Sequence, residues 1–202
     1  MLQPNIPATD WTALRGVGSG TMIASRRRLA AEVNLGELGS SVQSLRVCLV
    51  RTPTLTNVDA VGQDAVPPIG LAYVAGALHA GGHKVTVVDA VGEALHQYSR
   101  ADWSDGALLH GLQLDEMVRR IPQDTQIIGV SCMFSVEWLV ACDVLERIRS
   151  GFPQALIVIG GEHVTACPEY SLETCPAVDV GVLGEGVVDI VDLLDAYSKR
   201  ST

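Results

Sequence analysis

The 202 residues contain no Cys-x-x-Cys pair, no long apolar run and almost no clustered positive charge. Cys48, Cys132, Cys142, Cys167 and Cys175 are odd in number and irregularly spaced, which argues for neither a zinc site nor a disulfide framework and fits a reducing cytoplasm. No stretch approaches the roughly eighteen apolar residues that span a bilayer, so no membrane role is expected. Arg26-Arg27-Arg28 is the one basic cluster in a chain of formal charge −9, and nucleic acid has little electrostatic reason to bind. That cluster has the outline of a twin-arginine signal, but Ala30-Ala31-Glu32-Val33-Asn34 behind it supplies no hydrophobic core.

What is present is one stretch around which the chain is organised, Gln126 to Glu162. Ile127-Ile128-Gly129-Val130-Ser131-Cys132-Met133 and Ala155-Leu156-Ile157-Val158-Ile159-Gly160-Gly161 are short, branched and hardly alternating, as strands covered on both faces by helices are. Between them, Ser135 is expected as an N-cap with Glu137 in the first turn, and Val140, Val144, Leu145 and Ile148 recur at helical spacing until Gly151 and Pro153. Strand, helix and strand make a right-handed crossover, and the ligand edge of such a sheet lies beyond the carboxyl ends of its strands.

The remainder repeats the unit. Residues Met1 to Ser44 show no sustained period and read as a flexible or loosely helical N-terminal arm, with the domain running from Leu45 to Thr202. Arg46 to Arg51 is the first strand, followed by a long loop, Thr52 to Ile69, of the kind that is functional or disordered. Leu71, Val74, Ala75 and Leu78 mark a helix closed by Gly81-Gly82, and His83 to Asp89 reads as a strand near a sheet edge. Ala90 to Gly106 is an irregular excursion above the sheet, and Leu114, Met117, Val118 and Ile121 mark another helix. A short helix over Pro168 to Thr174 and a fifth strand over Val178 to Leu183 follow. The last helix is expected to turn Val187, Ile190, Val191 and Leu194 inward, and Asp189, Asp192 and Asp195 outward. The expected fold is α/β, a doubly wound five-stranded parallel sheet in the flavodoxin-like order 2-1-3-4-5.

Several phrases together resemble the cobalamin-binding half of cobalamin-dependent radical S-adenosylmethionine enzymes. They are Ser131-Cys132-Met133 followed after 26 residues by Gly160-Gly161, Pro67-Pro68-Ile69-Gly70-Leu71-Ala72-Tyr73, Gly81-Gly82-His83-Lys84-Val85, Gly160 through Glu169, and Gly184-Glu185-Gly186. The resemblance covers about Leu45 to Ala196 and implies a Rossmann-like cobalamin fold, with the corrin on the carboxyl edge and its nucleotide tail in the sheet crevice. It implies contacts from Thr52, Pro68, Gly70, Ser131, Cys132, Met133, Gly160, Gly161, Glu162, His163, Gly184, Glu185 and Gly186. The physics agrees: Gly160-Gly161 lets backbone approach the tail, Ser131 offers a hydroxyl, and Gly184 and Gly186 flank a helix N-terminus where an anionic group is stabilised.

Two departures shape the expectation. Histidine-ligating relatives carry Asp-x-His-x-x-Gly after the first strand, and Arg51 to Gly62 contains no histidine, so cobalamin is expected base-off with no lower protein ligand. His163 follows the fourth strand, and contact with the tail or loop packing is expected of it. The radical enzymes also hold an iron–sulfur cluster on Cys-x-x-x-Cys-x-x-Cys, which does not occur here, so no iron–sulfur cluster and no radical initiation are expected of this chain alone.

The expected function is that of a corrinoid module, carrying methylcobalamin or hydroxocobalamin for methyl transfer with a separate radical S-adenosylmethionine protein. A non-enzymatic corrinoid sensor or carrier stays open, as does another doubly wound nucleotide-binding or receiver-like domain. Against these last two, no glycine-rich phosphate loop and no acidic cluster follows the first strand. Trp103 and Trp138 read as packing residues, and Cys132 as a buried inert thiol.

Overall fold

The computed structural model describes residues 11–15, 21–25, 43–57, 59, 65–101, 104 and 106–198. In chain order the elements are β1 (Trp11–Arg15), β2 (Thr21–Ser25), β3 (Arg46–Arg51), β4 (Thr54–Asn57), α1 (Ile69–Ala80), β5 (Lys84–Asp89), β6 (Tyr98–Arg100), β7 (Ala107–His110) and α2 (Leu114–Arg120). They continue as β8 (Ile127–Ser131), α3 (Trp138–Gly151), β9 (Leu156–Gly160), α4 (Glu162–Ala166), α5 (Pro168–Thr174), β10 (Val180–Leu183) and α6 (Gly186–Ser198).

The main sheet runs β1-β2-β10-β9-β8-β3-β5. Its five strands from β10 to β5 are mutually parallel; β2 adds to β10 antiparallel, and β1 pairs antiparallel with β2 at the outer edge. The sheet is therefore mixed and seven-stranded, where sequence patterning led to five parallel strands. Both extra strands lie within the stretch read as an arm. Trp11–Arg15 and Thr21–Ser25 are five residues each, too short to show a period, and β2 is ordered by pairing with β10 and burying Met22 and Ile23. The remainder of residues 1–42, Arg26-Arg27-Arg28 included, lies outside the described residues, as does Trp103.

Side-chain alternation along the parallel strands builds two cores. Cys48, Val50, Ile128, Val130, Ile157 and Ile159 point to one face, where Met117 of α2, Val144, Leu145 and Ile148 of α3, and Val164 of α4 cover them. Val47, Leu49, Ile127, Val158, Val180 and Val182 point to the other, under Leu78 of α1 and Ile190, Leu193 and Leu194 of α6. This double coverage is why the strand sequences are apolar without alternating. β5 is an outer strand and α1, apolar nearly all round, keeps Ile69 and Tyr73 in solvent.

The loop Thr52 to Ile69, the excursion Ala90 to Gly106 and the four residues after it contribute the strands of a second sheet, β4-β7-β6, antiparallel throughout. Its strands have three or four residues. Stacking of Tyr98 on His110, with ring centroids 4.6 Å apart, and the 2.8 Å bond from His110 Nε2 to the Leu95 carbonyl hold it together.

Two smaller expectations need correcting. Ser135 makes no cap bond; residues Ser135–Glu137 form a 3-10 turn before α3, and the Ser135 hydroxyl is used elsewhere. Asp189, expected on the outer face of α6, is buried at 3% exposure in its first turn, and desolvation raises its carboxyl pKa. A carboxylate near a helix N-terminus meets unpaired N–H groups, which offsets part of that cost.

Candidate functional site

Strand register decides which residues meet at the carboxyl edge. Asp89, Arg51, Ser131, Gly160 and Val182 stand opposite one another in a single row across β5, β3, β8, β9 and β10. By alternation, Ser131 and Gly160 point to the face covered by α1 and α6, the same face as Val158 and Val182. A Cβ on Gly160 would meet nothing closer than the Val182 carbonyl oxygen at 3.7 Å, so this position is kept open by composition and not by crowding.

Gly161 is a different case. Its φ of +114° with extended ψ is accessible only to glycine, and a Cβ there would lie 2.3 Å from the Cys132 carbonyl oxygen. The second glycine is demanded by the chain's own turn, with or without a ligand. Gly184 also has positive φ, +72°, with open space where a side chain would be, and Gly186 begins α6. Pro68 immediately precedes α1, and a Cβ on Gly70 in its first turn would likewise find open space. Both helices begin at this edge, since α6 follows the carboxyl end of β10 and α1 runs back from it to the amino end of β5.

A rim of exposed apolar side chains surrounds these small residues. Met133, Phe134 (61% exposed) and Val136 (66%) follow β8, Val188 lies in the first turn of α6, and Val66 and Ile69 lead into α1. Exposed large apolar groups gathered at one edge mark a binding surface. Glu162 and Glu185 are exposed beside them, while Thr52 and Cys132 are buried. Burial pushes the Cys132 thiol up to about 12, with Glu137 adding to the effect, so it is an inert group.

His163 does not face the row. It is 4% exposed, lies against Trp138 with centroids 4.6 Å apart and meets Tyr170 edge-on. Its Nδ1 is 2.8 Å from the Ser135 hydroxyl, and desolvation lowers its pKa, which favours the neutral ring. Its ring packs between the loops that follow β8 and β9. Trp138 packs as expected, donating Nε1–H to the Thr174 hydroxyl at 3.0 Å.

Sequence reasoning passed over two groups. Glu137 is buried under β4; desolvation raises its pKa, opposed by the Leu55 N–H and by the positive charge of Arg51. Arg51 itself pairs with Asp89 at 3.4 Å, and Asp89 also accepts from the N–H groups of Val91 and Gly92. Thr165 is the second, and its hydroxyl joins two of the loops. The only signal for it was its place inside the Gly160 to Glu169 phrase.

A family model described as the B12 binding domain matches residues 56–194. The chain belongs to that family. The match runs from the end of β4 to the last turns of α6 and so contains Ser131, both glycine pairs and Thr165. The B12-binding chain is 30% identical over 155 residues to an uncharacterized methyltransferase of Pyrococcus horikoshii, covering 77% of this chain and 30% of that protein. It is 26% identical over 157 residues to an anaerobic magnesium-protoporphyrin IX monomethyl ester cyclase of Synechocystis, covering 78% and 28%. It thus spans under a third of the length of these relatives. Among solved structures, a cobalamin-binding protein from Desulfitobacterium hafniense aligns at 12% identity and TM-score 0.48, over 76% of this chain and 58% of that one.

The residues at the edge fit cobalamin. An open glycine beside a hydroxyl, a left-handed glycine at a helix entry and an apolar rim suit an amphipathic macrocycle with a phosphate-bearing tail. No helix among the described residues is long and apolar enough to cross a membrane.

Proposed function

We propose that this chain holds cobalamin base-off on the carboxyl edge of its five parallel strands, a flavodoxin-like doubly wound arrangement, and serves methyl transfer. The observation that carries the reading is the row in which Ser131 and the side-chain-free Gly160 lie side by side, with Gly184 and Gly186 at the neighbouring helix entry. Ser131 would bond a tail oxygen or nitrogen, Gly160 would leave room for the tail, and Met133, Phe134 and Val188 would cover apolar parts of the corrin. Cobalamin, when bound, supplies a cobalt centre that accepts and passes on a methyl group. The chain's own work is to bind, orient and shield the cofactor. The methyltransferase name of one relative supports this direction. The resemblance to radical S-adenosylmethionine enzymes supports a cluster and substrate site supplied from outside these 202 residues.

Incubation with hydroxocobalamin, desalting and a visible spectrum test the reading, with retained cofactor as the expected result. Gly160→Leu should abolish retention while the circular-dichroism spectrum stays native, because the added side chain enters space that no neighbour closer than 3.7 Å constrains. A folded Gly160→Leu protein that keeps cobalamin would overturn the crevice assignment. Ser131→Ala should be milder, about two- to tenfold in affinity, the worth of one neutral hydrogen bond.

The base-off state carries its own prediction. His163 is buried against Trp138 with Nδ1 bonded to Ser135, which supports a cobalt with no protein imidazole beneath it. Paramagnetic resonance of the cobalt(II) form should show no nitrogen superhyperfine splitting, and His163→Ala should leave the spectrum unchanged. A nitrogen triplet that vanishes in the variant would place a protein ligand on cobalt.

A further inference from the structure

The one-turn helix α4 is fastened on both sides, and its fastenings tie together three loops at the carboxyl edge. On one side His163 Nδ1 meets the Ser135 hydroxyl at 2.8 Å, which joins α4 to the turn that follows β8. On the other side the Thr165 hydroxyl donates to the Gly161 carbonyl at 3.1 Å and accepts the Gly184 N–H at 2.9 Å. The Gly161 carbonyl also receives the Thr165 N–H at 3.1 Å, so the threonine holds this loop twice. On the other side of Gly161 the Cys132 carbonyl occupies the place where a Cβ would stand. Gly184, by contrast, has a positive φ and no neighbour within 4 Å of where a side chain would stand, and no second hydrogen bond holds its N–H among the described residues. One exposed hydroxyl therefore bridges the loop after β9 and the loop that opens α6, beyond the last β9–β10 pair, Gly160 with Val182.

We infer that Thr165 is a positioning residue that fixes the width of the crevice between these two glycine loops, and thereby makes the chain selective for corrinoids that carry the nucleotide tail. This rests on the cobalamin reading above. The two bonded glycines bracket the end of the Ser131–Gly160 row, where the tail would lie, whereas the apolar rim on Met133, Phe134 and Val136 is built without Thr165. Loss of the hydroxyl frees Gly184 to move away from Gly161, and a wider crevice loses contacts with the tail while leaving the rim intact. Exposure of Thr165 means that the fold itself draws little from these bonds.

The test compares hydroxocobalamin with cobinamide, which has the corrin but lacks the nucleotide, by equilibrium titration of the full chain. The unmodified chain should bind cobalamin more tightly than cobinamide. Thr165→Val, nearly the same shape without the hydroxyl, should weaken cobalamin about five- to twentyfold, the worth of one to two hydrogen bonds, and leave cobinamide within about twofold. Thr165→Ser, which restores the hydroxyl, should recover most of the cobalamin affinity. Equal weakening of both corrinoids, or a Thr165→Val protein that binds cobalamin as well as the unmodified chain does, overturns the inference and leaves the cobalamin reading standing. Failure of the unmodified chain to bind either corrinoid overturns the cobalamin reading and this inference with it.

Discussion

Gly161→Ala should lower unfolding stability by about 2–6 kcal/mol and abolish cobalamin retention, although the change adds a single methyl group. Two independent costs combine. The backbone at φ +114° lies in a region that only glycine enters readily, and holding any other residue there costs about 1–3 kcal/mol. The methyl would also sit 2.3 Å from the Cys132 carbonyl oxygen, which is backbone and cannot swing aside as a side chain can. Relieving such an overlap by shifting strand ends costs a further 1–3 kcal/mol, roughly. Urea denaturation followed by circular dichroism measures the sum. A loss under about 1 kcal/mol would show that the turn after β9 can re-form with a different φ. Gly160→Leu should instead leave the denaturation midpoint nearly in place, so the adjacent glycines separate a folding requirement from a binding one.

Asp179→Ala should cost about 3 kcal/mol and leave the affinity of the folded protein for cobalamin unchanged. Asp179 is buried just before β10, accepting the Ile157 N–H at 2.8 Å and pairing with Arg149. Arg149 spreads its remaining donors over the carbonyls of Ala155 and Ala177 at 2.8 and 2.9 Å, which stitches α3 to the amino ends of β9 and β10. Removing one partner of a buried pair typically costs about 3–5 kcal/mol, because the surviving charge is left without its counterion. The low end applies here, since Arg149 keeps its carbonyl partners and is 17% exposed. Asp179→Asn retains an acceptor for Ile157 and should lose less. The cluster lies at the opposite end of the strands from Ser131 and Gly160, so a large change in cobalamin affinity would contradict the separation of stability from binding proposed here.

The parts of this architecture that were legible in the sequence are those where one local pattern decides the outcome. The run from Ile127 to Gly160 reads as strand, helix and strand because both faces of β8 and β9 are covered, and Val140, Val144, Leu145 and Ile148 all reach the core. Leu71, Val74, Ala75 and Leu78 likewise face the sheet beneath α1. Patterning says nothing about elements that exist only by long-range pairing. β2 is ordered by β10, more than 150 residues later, and β4 by β7 across some fifty residues, with too few residues in each strand to carry a period. Side-chain roles failed for a related reason. Ser135 had a local partner available in its own helix, yet its hydroxyl meets His163 on α4. Asp189 is polar by identity but sits in a first turn that α6 packs inward. The Gly160-Gly161 pair was visible, whereas the division of labour between its members depends on a carbonyl in another strand.

The N-terminal strands bear on which backbone groups the main sheet leaves unpaired. A parallel sheet ending at β10 would present the free backbone groups of Val180 to Leu183 to any passing strand, and such an edge invites pairing with a second molecule. β2 occupies that edge in antiparallel register, and Met22 buries against the same core as Val180 and Val182. A chain shortened to begin at Leu45 would keep every residue of the carboxyl edge named above and yet bare β10, which should give it a tendency to self-associate.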